Sequence, residues 1–281
     1  MNNPSTDWGK DGGGLLPQRP FEHSATFTTL AIDSTKRREI EEDFLHFMEA
    51  KNYPFTIGKC WKRGYFIYGL PGTGKSSLVA CIAKWVKFDV FEVNLAIVKN
   101  NNDFRTLLFN TTTNSIILIE NIDCIGSDDS ERFTKSGLVN ALDGLGSPEE
   151  RIILLTATHL DRTDPCLIRT GLINKRVKMS FCTFQGFQVL AYNYLSLNDH
   201  PLFRSIRELL SEVPIVPADV AEILMLKSST DDPERRLNKL IEILMEAGRK
   251  AMKESKGMKE SKGMEERWKK KGWEIGRSWS T

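Results

Sequence analysis

The apolar positions of this chain form two kinds of pattern, short continuous runs and stripes at helical spacing, and the two alternate over its first two thirds. Ala25 to Ile32 alternates weakly and predicts a short extended segment. Asp33-Ser34 can cap a helix running to about Ala50, with a stripe of Ile40, Phe44, Phe47 and Met48. Tyr65-Phe66-Ile67-Tyr68 reads as a buried strand, followed by a glycine-rich turn and a helix from Lys75 to Lys87. Phe88 to Val93 is a second strand, and Asn102 to Phe109 a helix. Ile116 to Ile119 is wholly apolar, as a strand covered on both faces must be. A helix around Lys135–Asp143 precedes a similar strand, Ile152 to Thr156, and Val177 to Phe181 makes a fifth.

Strands alternating with helices predict an α/β fold, a parallel sheet of about five strands with helices on both faces. After Cys182 the strand pattern stops, and four helices follow near 185–195, 201–211, 217–227 and 233–252. The last carries Leu237, Leu240, Ile241, Leu244 and Met245 at helical spacing. The expected organisation is a flexible arm over 1–22, an α/β domain over 23–182, a small all-helical lid over 183–252 and a low-complexity tail over 253–281.

Composition changes this picture little. With 40% hydrophobic and 27% charged residues the chain has an ordinary globular make-up. The net charge of +2 is uneven: from Arg249 onward eleven Lys/Arg face five Asp/Glu. That basic stretch holds a tandem repeat, Lys253 to Met258 and Lys259 to Met264, and three tryptophans, Trp268, Trp273 and Trp279. Contact with a membrane surface or nucleic acid and a solvated end without function are both open readings. Five scattered cysteines without a C-x-x-C pair, and four scattered histidines, argue against a disulfide framework or a zinc site. No apolar run reaches the length of a membrane helix and the first twenty residues do not resemble a secretory signal, so a soluble, intracellular protein is expected.

The chemistry enters at Gly69-Leu70-Pro71-Gly72-Thr73-Gly74-Lys75-Ser76-Ser77, which fits G-x-x-x-x-G-K-[S/T] between a strand and a helix. Glycines let the backbone wrap phosphates, Lys75 reaches the β- and γ-phosphates, and Ser76 offers a hydroxyl to Mg²⁺. The helix start at Lys75 adds its positive dipole end. The fold class is therefore a P-loop NTPase core with a helical lid, and ATP and Mg²⁺ are the expected ligands. A carboxylate at the end of a neighbouring strand should complete the metal site, and Glu120, after Ile116–Ile119, is so placed.

Trp61-Lys62-Arg63-Gly64-Tyr65, the phosphate loop, Lys87-Phe88-Asp89-Val90, Ile119 to Cys124, Gly137 to Gly144 and His200-Pro201-Leu202-Phe203 together resemble the plant AAA ATPases. These are grouped with the mitochondrial chaperone that translocates a folded Rieske iron–sulfur protein, the BCS-type AAA ATPases. The similarity runs from about His23 to Met245. It implies a homo- or hetero-oligomeric ring with ATP between subunits, no nucleic-acid partner, and association with a mitochondrial or endoplasmic-reticulum membrane through other segments or subunits.

Three positions depart from the family around the γ-phosphate. Members carry Glu-Asp where this chain has Glu120-Asn121, and an asparagine can orient a water but cannot act as its base. Asp123 is either a substitute for that base, on the same face if the strand continues, or a structural cap of the next turn. Thr158 stands where the family has a water-positioning asparagine. Arg169 matches the first arginine inserted into a neighbouring subunit's site, and Leu172 replaces the second. The catalytic set implied is thus Lys75, Glu120, Asn121, Thr158 and Arg169, with weakened hydrolysis. The stretch Asn94 to Asn102 has neither the aromatic nor the glycine of a threading pore loop, which disfavours an unfolded cargo. Two other classes remain beside the remodelling ATPase: a nucleotide-binding pseudo-ATPase subunit in mixed rings, and a small-molecule kinase, which the lid and the surroundings of Arg169 disfavour.

Overall fold

The computed structural model describes residues 24–50, 61–95, 98–124, 134–143, 151–169, 171–226 and 232–250. The expected arm over 1–22 and tail over 253–281 lie outside them, as does Cys60.

Five parallel strands form one sheet in the order β2-β3-β4-β1-β5. They are β1 (Lys62–Tyr68), β2 (Asp89–Val93), β3 (Ser115–Ile119), β4 (Arg151–Ala157) and β5 (Lys175–Lys178). The chain leaves β1 near one side of the sheet, crosses to the far edge at β2, and returns through β3 and β4 to lie beside β1. Every residue of β3 and β4 is buried, as their continuous apolar runs require.

Period-two alternation divides these strands between two cores. Tyr65, Ile67, Ile116, Leu118, Ile152 and Leu154 face one side. There they meet α1 (Ser34–Glu49), through Ile40, Phe44 and Phe47, and α2 (Lys75–Val86). Phe66, Ile117, Ile119, Ile153 and Leu155 face the other side. They meet α3 (Asn101–Phe109) and α4 (Lys135–Asp143). Asp33 caps α1 by accepting from the amides of Thr35 and Lys36. Buried Arg151 ties the end of α3 to the sheet, donating from Nη1 to Leu108 O and from Nη2 to Thr111 O, both at 2.7 Å.

The lid consists of α5 (Phe184–Leu195), α6 (Phe203–Glu212), α7 (Pro217–Leu224) and α8 (residues 233–250). Its own core includes Phe187, Phe203, Leu237, Leu240 and Leu244, and the Arg207 guanidinium lies 4.1 Å from the Phe184 ring centroid.

Two expectations are corrected. Ala25–Ile32 is not extended: Thr29 N and Leu30 N both donate to Thr26 O at 3.0 Å, closing a turn that buries Phe27 and Leu30. The threonine hydroxyls bond within this segment, an alternative to a strand ladder that weak alternation did not reveal. The fifth strand begins at Lys175 and ends at Lys178, not Phe181. Its only ladder partner among the described residues, β1, stops at Tyr68, where the chain turns into the glycine loop.

Candidate nucleotide site

The loop Gly69–Gly74 leaves the carboxyl end of β1, the second strand from one edge, and enters α2 at Lys75. Its first residue is pinned to β4, Gly69 N donating to Ala157 O at 3.2 Å. A Cβ on Gly69 would stand 2.1 Å from Met179 O, so only glycine fits there. Gly74 enters the helix with φ +93, a left-handed conformation that leaves the first amides of α2 open toward the loop. Thr73 is buried and bonds back to Leu70 O at 2.7 Å, while Leu70 and Pro71 form the exposed crest.

Lys75 folds over this loop, donating from Nζ to Gly69 O at 2.8 Å and to Leu70 O at 3.2 Å. Burial lowers the pKa of its ammonium, against the opposing pull of Asp123 and Glu120. Ser76 Oγ donates to Glu120 Oε1 at 3.0 Å, although the two residues are far apart in sequence. The structure thus brings Lys75, Ser76, Glu120 and Asp123 together at the carboxyl edge of the sheet.

This donor set fits the expected ligand. Serine and carboxylate oxygens suit Mg²⁺, an ion usually held by one or two protein groups while substrate phosphates supply the rest. Among the described residues no group of three or more His, Cys, Asp and Glu is arranged to hold a metal alone. Lys75 and the α2 amides offer positive charge where phosphates would lie.

Beyond Glu120 the chain departs from the expected strand face. Asn121 has φ +53, exposes its side chain and donates from its amide to Thr156 Oγ1 at 3.1 Å. Left-handed backbone is tolerated by asparagine. A 3₁₀ turn, Ile122–Cys124, follows, so Asp123 does not continue β3. Its Oδ2 accepts from Thr158 N at 3.0 Å and His159 N at 2.9 Å. Thr158 itself follows directly on β4.

Arg169 is placed differently from the rest. Its Nη2 donates to Asp143 Oδ2 at 2.6 Å, at the end of α4, with both side chains partly exposed. Leu172 is buried among Phe66, Leu167 and Ile173, so the second arginine position belongs to the core here. Two contacts were missed from sequence: Asp143 on Arg169, and Ala218 N on Gly72 O at 3.1 Å. The only sequence signal for the last is Pro217 opening a helix.

Comparison with known proteins agrees with this architecture. A model of the "ATPase family associated with various cellular activities (AAA)" matches residues 65–181, and one of the "At3g28540-like, AAA+ ATPase lid domain" matches residues 182–259. The Arabidopsis thaliana protein AAA-ATPase At3g28610 is 42% identical over 269 residues, covering 86% of this chain and 57% of that protein. AAA-ATPase At5g40000 of the same plant is 42% identical over 270 residues, covering 87% and 57%. "AAA-ATPase At3g28570, mitochondrial", also from Arabidopsis thaliana, is 43% identical over 245 residues, covering 81% and 54%. The chain therefore spans just over half the length of these relatives. With the core and the lid each matched, and a glycine loop, a serine–glutamate pair and a helical lid in one chain, it belongs to the AAA ATPase family, among its plant BCS-type members.

Proposed function

We propose that this chain binds ATP·Mg²⁺ in the loop Gly69–Ser77 and hydrolyses it slowly, as a subunit of a homo- or hetero-oligomeric ring that remodels or translocates protein. The observation that carries the reading is the Ser76–Glu120 hydrogen bond beside the Lys75 ammonium. In this reading residues 23–182 form the nucleotide-binding domain and 183–252 the lid. The backbone of Gly69, Leu70, Pro71, Gly72, Thr73 and Gly74, with Lys75 and Ser77, would hold the phosphates. Ser76 and Glu120 would hold the ion, which supplies charge neutralisation when bound. Asn121 and Thr158, at adjoining strand ends, would orient the attacking water. Arg169 would act on a neighbouring subunit's nucleotide after leaving Asp143. One relative is named mitochondrial, which supports a site of action at that organelle. Among the described residues no helix is long and apolar enough to cross a membrane, so membrane contact would come from other segments or subunits.

Asn121 sets the expected rate. Without a carboxylate there the site lacks general-base help worth about 10²- to 10⁴-fold. Asn121 also gives weight to a second reading, a nucleotide-binding pseudo-ATPase acting as a structural or regulatory subunit in mixed rings. Nucleotide binding and single-turnover cleavage, measured with Mg²⁺ on the wild type and Asn121→Asp, separate the two. Slow cleavage by the wild type and faster cleavage by the variant support the weak ATPase. Binding without cleavage in the wild type, with cleavage gained by Asn121→Asp, supports the pseudo-ATPase. Absence of nucleotide binding in both overturns the site itself.

A further inference from the structure

We propose that Asp123 is a positioning residue, clamping the end of β4 and with it Thr158 beside the phosphate loop, rather than the base that replaces the missing carboxylate at Asn121. The proposal rests on the ATPase reading above for its catalytic consequence, though not for the clamp.

The clamp follows from where the sheet ends. β4 pairs with β1 as far as Ala157 and with β3 only as far as Leu155, so the amides of Thr158 and His159 lie beyond the last ladder position. Backbone amides at a partly buried strand end need an acceptor, and Asp123 Oδ2 serves both, at 3.0 and 2.9 Å. Neighbouring bonds make the tie continuous. Asn121 N donates to Thr156 Oγ1, Cys124 N to Asn121 O at 2.9 Å, and Gly69 N to Ala157 O. The first residue of the phosphate loop, the end of β4 and the turn after β3 are thereby one hydrogen-bonded unit.

The same geometry argues against a base. An oxygen that accepts two amide hydrogens has its lone pairs engaged and is poorly placed to take a proton from water. The other oxygen, Oδ1, is buried and makes no hydrogen bond among the described residues, so it is not presented to solvent in this conformation. Its negative charge nevertheless acts on Lys75, more strongly than that of Glu120.

Two measurements on the full chain test this, made on the wild type, Asp123→Asn and Asp123→Ala. Residue-resolved hydrogen exchange without nucleotide reads the clamp directly. Asp123→Ala should speed exchange at Thr158 and His159 by about tenfold or more, while Asp123→Asn, which keeps an acceptor oxygen, should change it by no more than about threefold. Steady-state kinetics with ATP and Mg²⁺ read the consequence: Asp123→Ala should lower kcat by about tenfold or more with KM little changed, and Asp123→Asn should restore most of the loss. Equal loss of kcat in both variants, with the two amides still protected in Asp123→Asn, would make Asp123 the base and overturn the proposal. So would unchanged amide exchange in Asp123→Ala. A wild type that binds ATP without cleaving it defeats the hydrolysis reading alone, and the exchange data still decide the clamp. If Asp123→Ala fails to fold, Asp123→Ser, whose shorter side chain withdraws the acceptor, takes its place.

Discussion

Lys75 is held where folding opposes its own charge: burial lowers its pKa, and its hydrogens go to two carbonyls of its own loop. A polyphosphate would add counter-charge beyond that of Asp123 and Glu120, which does not offset the burial. Replacing Lys75 by Met should therefore weaken ATP binding by about ten- to a hundredfold, as loss of a charged hydrogen-bonding group does, measured by titration calorimetry. The pH dependence has a definite sign. The folded-state pKa lies below the ordinary 10.5, so the charged lysine destabilises the apo fold as pH falls from 10.5 through that value. A bound polyanion reverses this preference. The thermal stabilisation given by ATP should shrink as pH is raised from neutral toward 10.5, and a stabilisation that grew instead would contradict the assignment of Lys75. Cysteines carry a second residue-scale consequence. Burial pushes the Cys81 thiol up to about 11 and the Cys182 thiol up to about 12, whereas Cys124 and Cys166 are exposed. Iodoacetamide at pH 8 should modify Cys124 and Cys166 in the folded chain and spare Cys81 and Cys182, as peptide mass spectrometry would show. Since both folded pKa values lie above the ordinary 9.0, these thiols also cost stability as pH rises from about 9 toward 11 and beyond.

At the scale of elements, close approach between β1 and the segment before β5 decides one position. Gly64 N donates to Asn174 Oδ1 at 2.7 Å, Asn174 N donates to Gly64 O at 2.8 Å, and a Cβ on Gly64 would stand 1.8 Å from Leu172 O. The obstacle is backbone, which cannot rotate away. Gly64→Ala should destabilise by about 3 kcal/mol or more, the severe end of overpacking, read from urea unfolding. Gly171 is the useful contrast: its φ is +104 and a Cβ there meets nothing within 4 Å. Gly171→Ala should cost only backbone strain, about 1–2 kcal/mol. Both glycines are visible in the sequence, but the reason for each is not. What period and run length do express is which side chains are buried. The apolar runs of β3 and β4 and the stripe of α1 were legible for that reason, and the helix from Lys135 begins where expected. The Thr26–Leu30 turn was not legible, because hydroxyl-to-backbone bonding leaves no periodic trace. The proximity of Lys75, Ser76 and Glu120 was readable, since a strand end and a helix start fix their direction. The placement of Asp123 needed the left-handed turn at Asn121, and the Arg169–Asp143 pair needed the fold itself.

At the scale of the whole molecule, several hydrogen bonds among the described residues join the lid to the start of α1 and the turn before it. Ser34 N and Oγ both donate to Gln185 Oε1 at 3.0 Å, and Asn193 Nδ2 donates to Thr29 O at 2.9 Å. Cys182 N bonds Ile215 O at 2.7 Å at the hinge, and Ala218 N bonds Gly72 O in the phosphate loop. The lid has its own apolar core, but a unit of roughly 70 residues buries too little surface to be robust alone. Its persistence should depend on these ties. Gln185→Ala with Asn193→Ala removes three of them, each worth about 0.5–1.5 kcal/mol and nearer the lower figure where water competes. The loss falls on the lid rather than on the sheet, so calorimetry should resolve a lid transition lowered by about 5 °C or more from the main one, given the size dependence of Tm shifts. ATP, by filling the loop on which Ala218 rests, should draw the two transitions together again. If the double variant melts in one unshifted step, the lid is held by apolar packing, including that on Ala31, and these side-chain hydrogen bonds carry no coupling.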